Sequence, residues 1–243
     1  MVRFRADNAR GSHLVTPSSI SFNFRDQRSR PSGTELAPRW RGVLHLCALG
    51  VALPASVALL TKDGASIGVI VYLLGLIALY AISAGYHLLP VSSITRERLR
   101  RADRAMIYLF IAASATPFFL LAGTGWLFDL ALVGVWIGGT SCALLTWIGV
   151  MPKGVISGLA YIALGWLAVI TLPQAIHNLS ATEIILFIGM GVIYSLGAGV
   201  LGFRWPDPAP KVFGYHEVWH AMVVLASACY FVVVWSLAAP HHV

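Results

Sequence analysis

Charged positions divide the chain into seven uncharged windows of at least 20 residues: 42–61, 64–95, 105–128, 130–152, 154–182, 184–203 and 218–243. A helix of about 20 apolar residues crosses a bilayer, so each window predicts one membrane-spanning helix. Apolar residues occupy every face of these windows, with Gly and Pro interspersed. Strands of a membrane barrel would instead place a polar residue at every second position, which excludes a barrel. The expected fold is all-α, an integral membrane bundle of seven transmembrane helices with spans at about 42–61, 67–89, 105–123, 128–150, 155–173, 184–203 and 217–238. Residues 41–243 make up this membrane domain. Its connections are too short for a second folded domain.

Residues 1–40 differ in kind, because MVRFRADNARGSHLVTPSSISFNFRDQRSRPSGTELAPRW is rich in Arg, Ser and Pro and lacks a sustained apolar run. That composition predicts a disordered basic N-terminal tail. With no apolar core ahead of a small-residue cleavage site, no secretory signal is expected. The whole chain is 58% hydrophobic and 11% charged, against roughly 25% charged for a soluble domain. A soluble globular enzyme, a collagen-like fibre and a disulfide scaffold are thereby set aside. Cys47, Cys142 and Cys229 all lie in apolar windows, where cysteine behaves as a small buried hydrophobe.

The placement of charge carries orientation. Loops rich in Lys and Arg stay cytoplasmic, and with seven spans alternate connections fall on one side. Sixteen of the seventeen Lys/Arg then share a side: eight up to Arg41, Arg96, Arg98, Arg100, Arg101 and Arg104 between spans two and three, Lys153, and Arg204 with Lys211. Only Lys62 lies opposite. The N-terminus is therefore expected in the cytoplasm and the C-terminus outside, in a bacterial-type plasma (inner) membrane. The net charge of +7 follows from topology and from attraction to anionic headgroups, so membrane lipids rather than nucleic acid are the expected partners. Nothing in the pattern sets an oligomeric state.

Ionisable side chains at membrane depth are costly and become functional candidates by default. Asp129 and Glu183 begin spans four and six, where a carboxylate meets the positive end of the helix dipole. The remaining candidates fall in three segments: Ser83 to His87 ending span two, Asp103 opening span three, and His216-Glu217-Val218-Trp219-His220 opening span seven. The alternating topology brings all three to the cytoplasmic layer. His216 and His220 stand four apart, on one helical face with β-carbons about 5–6 Å apart. Adding His87 gives three imidazoles with one open position, the ligand pattern of a catalytic zinc. Asp103 could take a proton or orient a water, and Ser83 sits one turn before His87 on the same face. The string HEVWH also matches the H-E-x-x-H pattern of zinc proteases, in which the glutamate is the base.

At these residues the chain resembles the hemolysin III branch of the progestin and adipoQ receptor superfamily, which includes the adiponectin receptors and is similar to alkaline ceramidases. The likeness covers nearly all of residues 41–238 and rests on SAGYHLLP, LRRADRAMIYLFIAASATPFFLL and FGYHEVWHAMVVLASACYF in the family's order. It implies a seven-helix bundle with a cytoplasmic N-terminus, zinc ligands His87, His216 and His220, and Ser83 and Asp103 around them as the catalytic pair. Glu217 is then not a protease base. His45 matches a recurring family histidine with no implied liganding role, and a packing or hydrogen-bonding part is expected of it. The chain departs from the family in carrying Asp103-Arg104 and Ala115-Thr116-Pro117-Phe118, and in Cys229-Tyr230 where relatives have a histidine.

Four functions compete on this basis. The first is a zinc-dependent hydrolase of lipid amides, ceramidase-like, with a lipid amide or fatty-acyl ligand within the bundle and a part in membrane lipid homeostasis. A pore-forming cytolysin (hemolysin) is the second, although seven spans suit residence in the producing cell's own membrane. Third is a non-catalytic receptor or sensor in which zinc only staples helices. Last comes a membrane zinc peptidase, which needs Glu217 rather than Asp103 as base.

Overall fold

The computed structural model of the chain describes Trp40, residues 42–152 and residues 154–238. The expected basic tail lies outside the described residues, as do Arg41, Lys153 and the last five residues. Among the described residues, seven helical segments are long and apolar enough to cross a membrane. They are α1 (Val43–Asp63), α2 (Ile67–Leu88), α3 (Ser93–Leu121), α4 (Trp126–Trp147), a fifth span that opens with α5 (Val155–Trp166), α6 (Ala181–Phe203) and α7 (Tyr215–Leu237). No strand is present among the described residues. All of these helices belong to one unit, Leu36–Val243.

Local chemistry sets the ends. α1 stops at Gly64, whose φ of 72° is left-handed, a conformation glycine adopts without steric cost. Ser92 caps α3 by accepting from the Thr95 N–H at 3.3 Å. α6 opens on a capping box: the Ser180 Oγ accepts from the Glu183 N–H, and Glu183 Oε2 accepts from the Ser180 N–H at 2.6 Å. Glu183 thus serves the helix start, and Asp129 likewise lies in the first turn of α4.

Two spans differ from the pattern of apolar windows. α3 begins at Ser93, twelve residues before the apolar window at 105, and carries Arg96 through Arg104 on its first turns rather than in a loop. Arginine is a good helix former, and Glu97 pairs with Arg100 and Arg101 at i+3 and i+4. The fifth span reaches Asn178 rather than 173, and only Val155–Trp166 of it is a continuous α-helix. Beyond Trp166 the chain tightens into 3₁₀ turns, Leu167–Thr171 and Ile176–Asn178, around a single helical turn at Leu172–Ala175. Pro173 supplies the reason, since it has no N–H to continue the α-helical ladder.

α3 is the hub and packs against α2, α4, α5 and α7, while α7 also packs on α6 and α1. Close approach of α2 and α3 depends on Gly75, where a β-carbon would stand 2.6 Å from that of Ala113. Tyr72, Tyr108, Phe118 and Tyr230 fill the interior, and the Tyr230 hydroxyl donates to the Ser114 carbonyl across α3 and α7. At the end of the bundle away from the arginines, the Lys62 ammonium donates to the Trp235 carbonyl and lies over its ring, tying α1 to α7. The outer surface is apolar: Val51 is 71% exposed, Ile185 69% and Phe203 85%. Water would make such a belt an aggregation surface, whereas lipid solvates it.

Candidate metal centre

α2 ends where α7 begins, and this junction gathers the histidines. His87 lies in the last turn of α2, His216 and His220 in the first two turns of α7. One donor atom from each of the three lies within 4.8 Å of the other two. The His87 and His216 Nε2 atoms are 3.3 Å apart. Ring centroids are 4.6 Å apart for His216 and His220, 5.1 Å for His87 and His216, and 5.2 Å for His87 and His220. His220 is buried, at 3% exposure, while His87 and His216 are partly exposed. The group is therefore anchored in the bundle on one side and open on the other.

Two carboxylates hold the start of α7, and with it His216. Glu217, 1% exposed, turns back so that its Oε2 accepts from the Gly214 N–H at 2.8 Å. Asp207 Oδ1 accepts from the Tyr215 N–H at 2.9 Å. These bonds satisfy N–H groups that have no partner inside the helix. In the H-E-x-x-H string, then, the glutamate caps a helix.

Ser83 is buried one turn before His87 on α2, with its hydroxyl close to the Asp103 side chain of α3. The two expected catalytic residues thus pair with each other across the α2–α3 contact, a turn along α2 from the three histidines. His45, in the first turn of α1, is 3% exposed and stacks on His220 with centroids 4.0 Å apart and planes 21° from parallel. On its other side stands Tyr80 at 5.2 Å, whose hydroxyl is hydrogen-bonded to Ser227. Neither His45 ring nitrogen has a hydrogen-bond partner among the described residues, and its contacts there are with the two rings. Replacing a buried polar ring by an apolar one of similar shape is nearly neutral; His45→Phe is therefore expected to melt with the wild type, and His45→Ala to lose roughly 2 kcal/mol or more to the cavity left behind. Thermal melts of the two variants compare them, and a His45→Phe protein as unstable as His45→Ala would show that the ring nitrogens matter.

One neighbour escaped the sequence reading. Gly42, just before α1, lies against His87, so that a β-carbon there would stand 2.6 Å from the His87 β-carbon. Its φ of 86° leaves glycine as the natural occupant. The only sequence signal is a glycine at the head of an apolar window, and nothing in it points to His87.

The donor set suits a metal of borderline softness. Two imidazole nitrogens bound to one tetrahedral zinc at 2.0–2.1 Å are separated by about 3.3–3.4 Å, the distance found between His87 and His216. The same 3.3 Å also suits an N–H···N hydrogen bond between neutral rings. A metal measurement separates these two states.

Comparison with known proteins places the chain in a family. The family profile described as "Haemolysin-III related" matches residues 35–231. "Hemolysin-3" of Bacillus cereus is 29% identical over 194 residues, which cover 74% of this chain and 82% of that protein. "Hemolysin-3 homolog" of Bacillus subtilis (strain 168) is 30% identical over 138 residues, 56% of this chain and 62% of that one. The span matched by the profile contains His45, Ser83, His87, Asp103, His216 and His220. With seven apolar helices and a family match over most of its length, the chain is an integral multi-pass membrane protein that belongs to the haemolysin-III related family.

Proposed function

We propose that His87, His216 and His220 hold a zinc ion and that the protein hydrolyses the amide bond of a membrane lipid, ceramide-like or otherwise acyl-chain-bearing. The observation that carries this reading is the convergence of three imidazoles, two of them partly exposed, at the end of an apolar bundle. When bound, zinc with three protein ligands keeps an open position, brings the pKa of its water to about 7 and polarises a carbonyl. The remaining work falls to side chains. Asp103 accepts the proton that the attacking water loses and returns it to the amide nitrogen as the C–N bond breaks, releasing a fatty acid and an amine. Ser83 holds the Asp103 carboxyl in place through its hydroxyl. The apolar outer faces of the helices border the bilayer, which supplies the acyl-chain-bearing substrate. If the arginine-rich end is cytoplasmic, as the charge asymmetry argues, the substrate comes from the inner leaflet, and the activity contributes to membrane lipid homeostasis.

The test is metal analysis of the purified protein beside His216→Ala, together with hydrolysis of a long-chain ceramide by wild type and by His87→Ala. About one zinc per chain in the wild type, its loss in His216→Ala and loss of turnover in His87→Ala are expected. A wild-type protein without zinc removes the metal assignment. A zinc-loaded wild type that leaves amide lipids intact removes the hydrolase.

The names of the two relatives favour a second reading, lysis of cells. Lysis of erythrocytes by the purified protein, undiminished when all three histidines are replaced, would establish it in place of the first.

A further inference from the structure

A second polar feature lies apart from the histidines, between the first turns of α3 and the end of α4. α3 has 29 residues, so it is about 43 Å long at 1.5 Å per residue, against a hydrocarbon core of about 30 Å. Its apolar stretch from Ala105 to Leu121, about 26 Å long, accounts for most of the core. The turns carrying Arg96, Arg98, Arg100, Arg101 and Arg104 therefore stand at headgroup depth. There an open cleft of about 640 Å³ is lined by Ser93, Ile94, Glu97, Arg98, Arg101 and Trp147.

Its chemistry is divided. Arg101 is fixed: its Nε donates to Glu97 at 2.9 Å and one terminal nitrogen to the Trp147 carbonyl at 3.1 Å. Arg98 is exposed and makes no hydrogen bond or ion pair among the described residues. Both Glu97 oxygens are taken by Arg100 and Arg101, so Arg98 leaves the cleft with a surplus positive charge, reinforced by the positive end of α3. Ile94, 68% exposed, and Trp147, 46% exposed, give it an apolar flank. Tryptophan is enriched at this depth. Guanidinium groups suit phosphate oxygens, and the flank suits the glycerol and first methylenes below them.

We propose that this cleft binds the phosphate of an anionic phospholipid headgroup, with Arg98 and Arg101 as the phosphate donors and Ile94 and Trp147 against the apolar part. The experiment is native mass spectrometry of the full chain released from nanodiscs of phosphatidylcholine containing a minor fraction of phosphatidylglycerol. Retained phosphatidylglycerol is expected to exceed its share of the disc. Because one arginine near a membrane surface contributes about fivefold in binding, Arg98→Gln should cut that excess about fivefold, and Arg98→Gln with Arg101→Gln further. Lys211→Gln, on the same side but outside the cleft, should lower it less, and a loss equal to that of Arg98→Gln counts against the cleft. Equal retention of the two lipids, an undiminished excess in Arg98→Gln, or binding of inorganic phosphate with no lipid excess would each overturn the proposal. Should a variant melt below the wild type, a salt titration of the wild type decides instead. Screening of exposed charges must erode the phosphatidylglycerol excess, and an excess indifferent to salt counts against the cleft.

Discussion

Asp103→Asn is expected to lower hydrolysis of an amide lipid by about 10²- to 10⁴-fold, the usual contribution of a positioned proton-transfer group, while zinc content stays at that of the wild type. The asparagine keeps the size of the side chain and its contact with Ser83 but cannot carry the proton from water to the departing amine. Glu217→Gln gives the opposite pattern. Its carboxylate is buried and accepts the Gly214 N–H at the start of α7, so the amide should weaken that cap, at about 0.5–2 kcal/mol, and leave turnover within a few fold. Measuring kcat, zinc content and melting temperature on both variants separates three readings of the same helices. A collapse of turnover in Glu217→Gln with Asp103→Asn active would make this a zinc peptidase in the H-E-x-x-H sense. Loss of thermal stability on removing any histidine, with no reaction in the wild type, would leave zinc as a staple between α2 and α7.

The fold was largely legible in the chain because the bilayer demands internal backbone hydrogen bonding of whatever crosses it, and an uncharged window of sufficient length has few other uses. What the windows do not contain is helix termini. Charge marks where lipid ends, whereas helices stop where caps and prolines stop them. α3 therefore runs back through its arginines to Ser92, two residues beyond Pro90, and the fifth span changes its winding around Pro173, inside an apolar stretch that looks uniform. The histidines were legible for two distinct reasons. His216 and His220 are neighbours by helical spacing alone. His87 joins them because alternating spans return to the same end of the bundle, which is an argument about depth and not about contact.

Contacts within that layer depend on which helices pack side by side, and an apolar pattern on every face is silent about that. Sequence reasoning gave His45 a packing or hydrogen-bonding role without a partner, and the structure stacks it on the His220 ring at 4.0 Å. It placed Ser83 and Asp103 near one another by depth, and the packing of α2 on α3 brings the two side chains close to each other. Gly42 left no trace, because the reason for a glycine there is the root of a side chain 45 positions away.

That glycine supports the second large expectation, which concerns the supports of the site rather than its donors. In Gly42→Val the new β-carbon would stand 2.6 Å from the His87 β-carbon and 3.1 Å from the Leu88 γ-carbon. The His87 atom belongs to the root of its side chain and cannot swing aside as a flexible tip would. Either the entry to α1 or the end of α2 must move, at a typical overpacking cost of about 1–3 kcal/mol. A left-handed φ adds about 1–2 kcal/mol for a residue with a β-carbon. Displacing His87 at its root should break a ligand set that tolerates only small errors in bond length, so Gly42→Val is expected to lose most of its zinc and to melt well below the wild type, with Gly42→Ala intermediate. Gly64 separates the two causes. Its φ of 72° imposes the same strain, but a β-carbon there meets nothing within 4 Å. Gly64→Ala should therefore lower the melting temperature and leave zinc content at the wild-type level. If Gly42→Ala and Gly64→Ala retained zinc equally, the contact between the head of α1 and His87 would have no part in holding the site. A loss confined to Gly42 variants would make the turn before the first span a structural support of the histidine that α2 contributes.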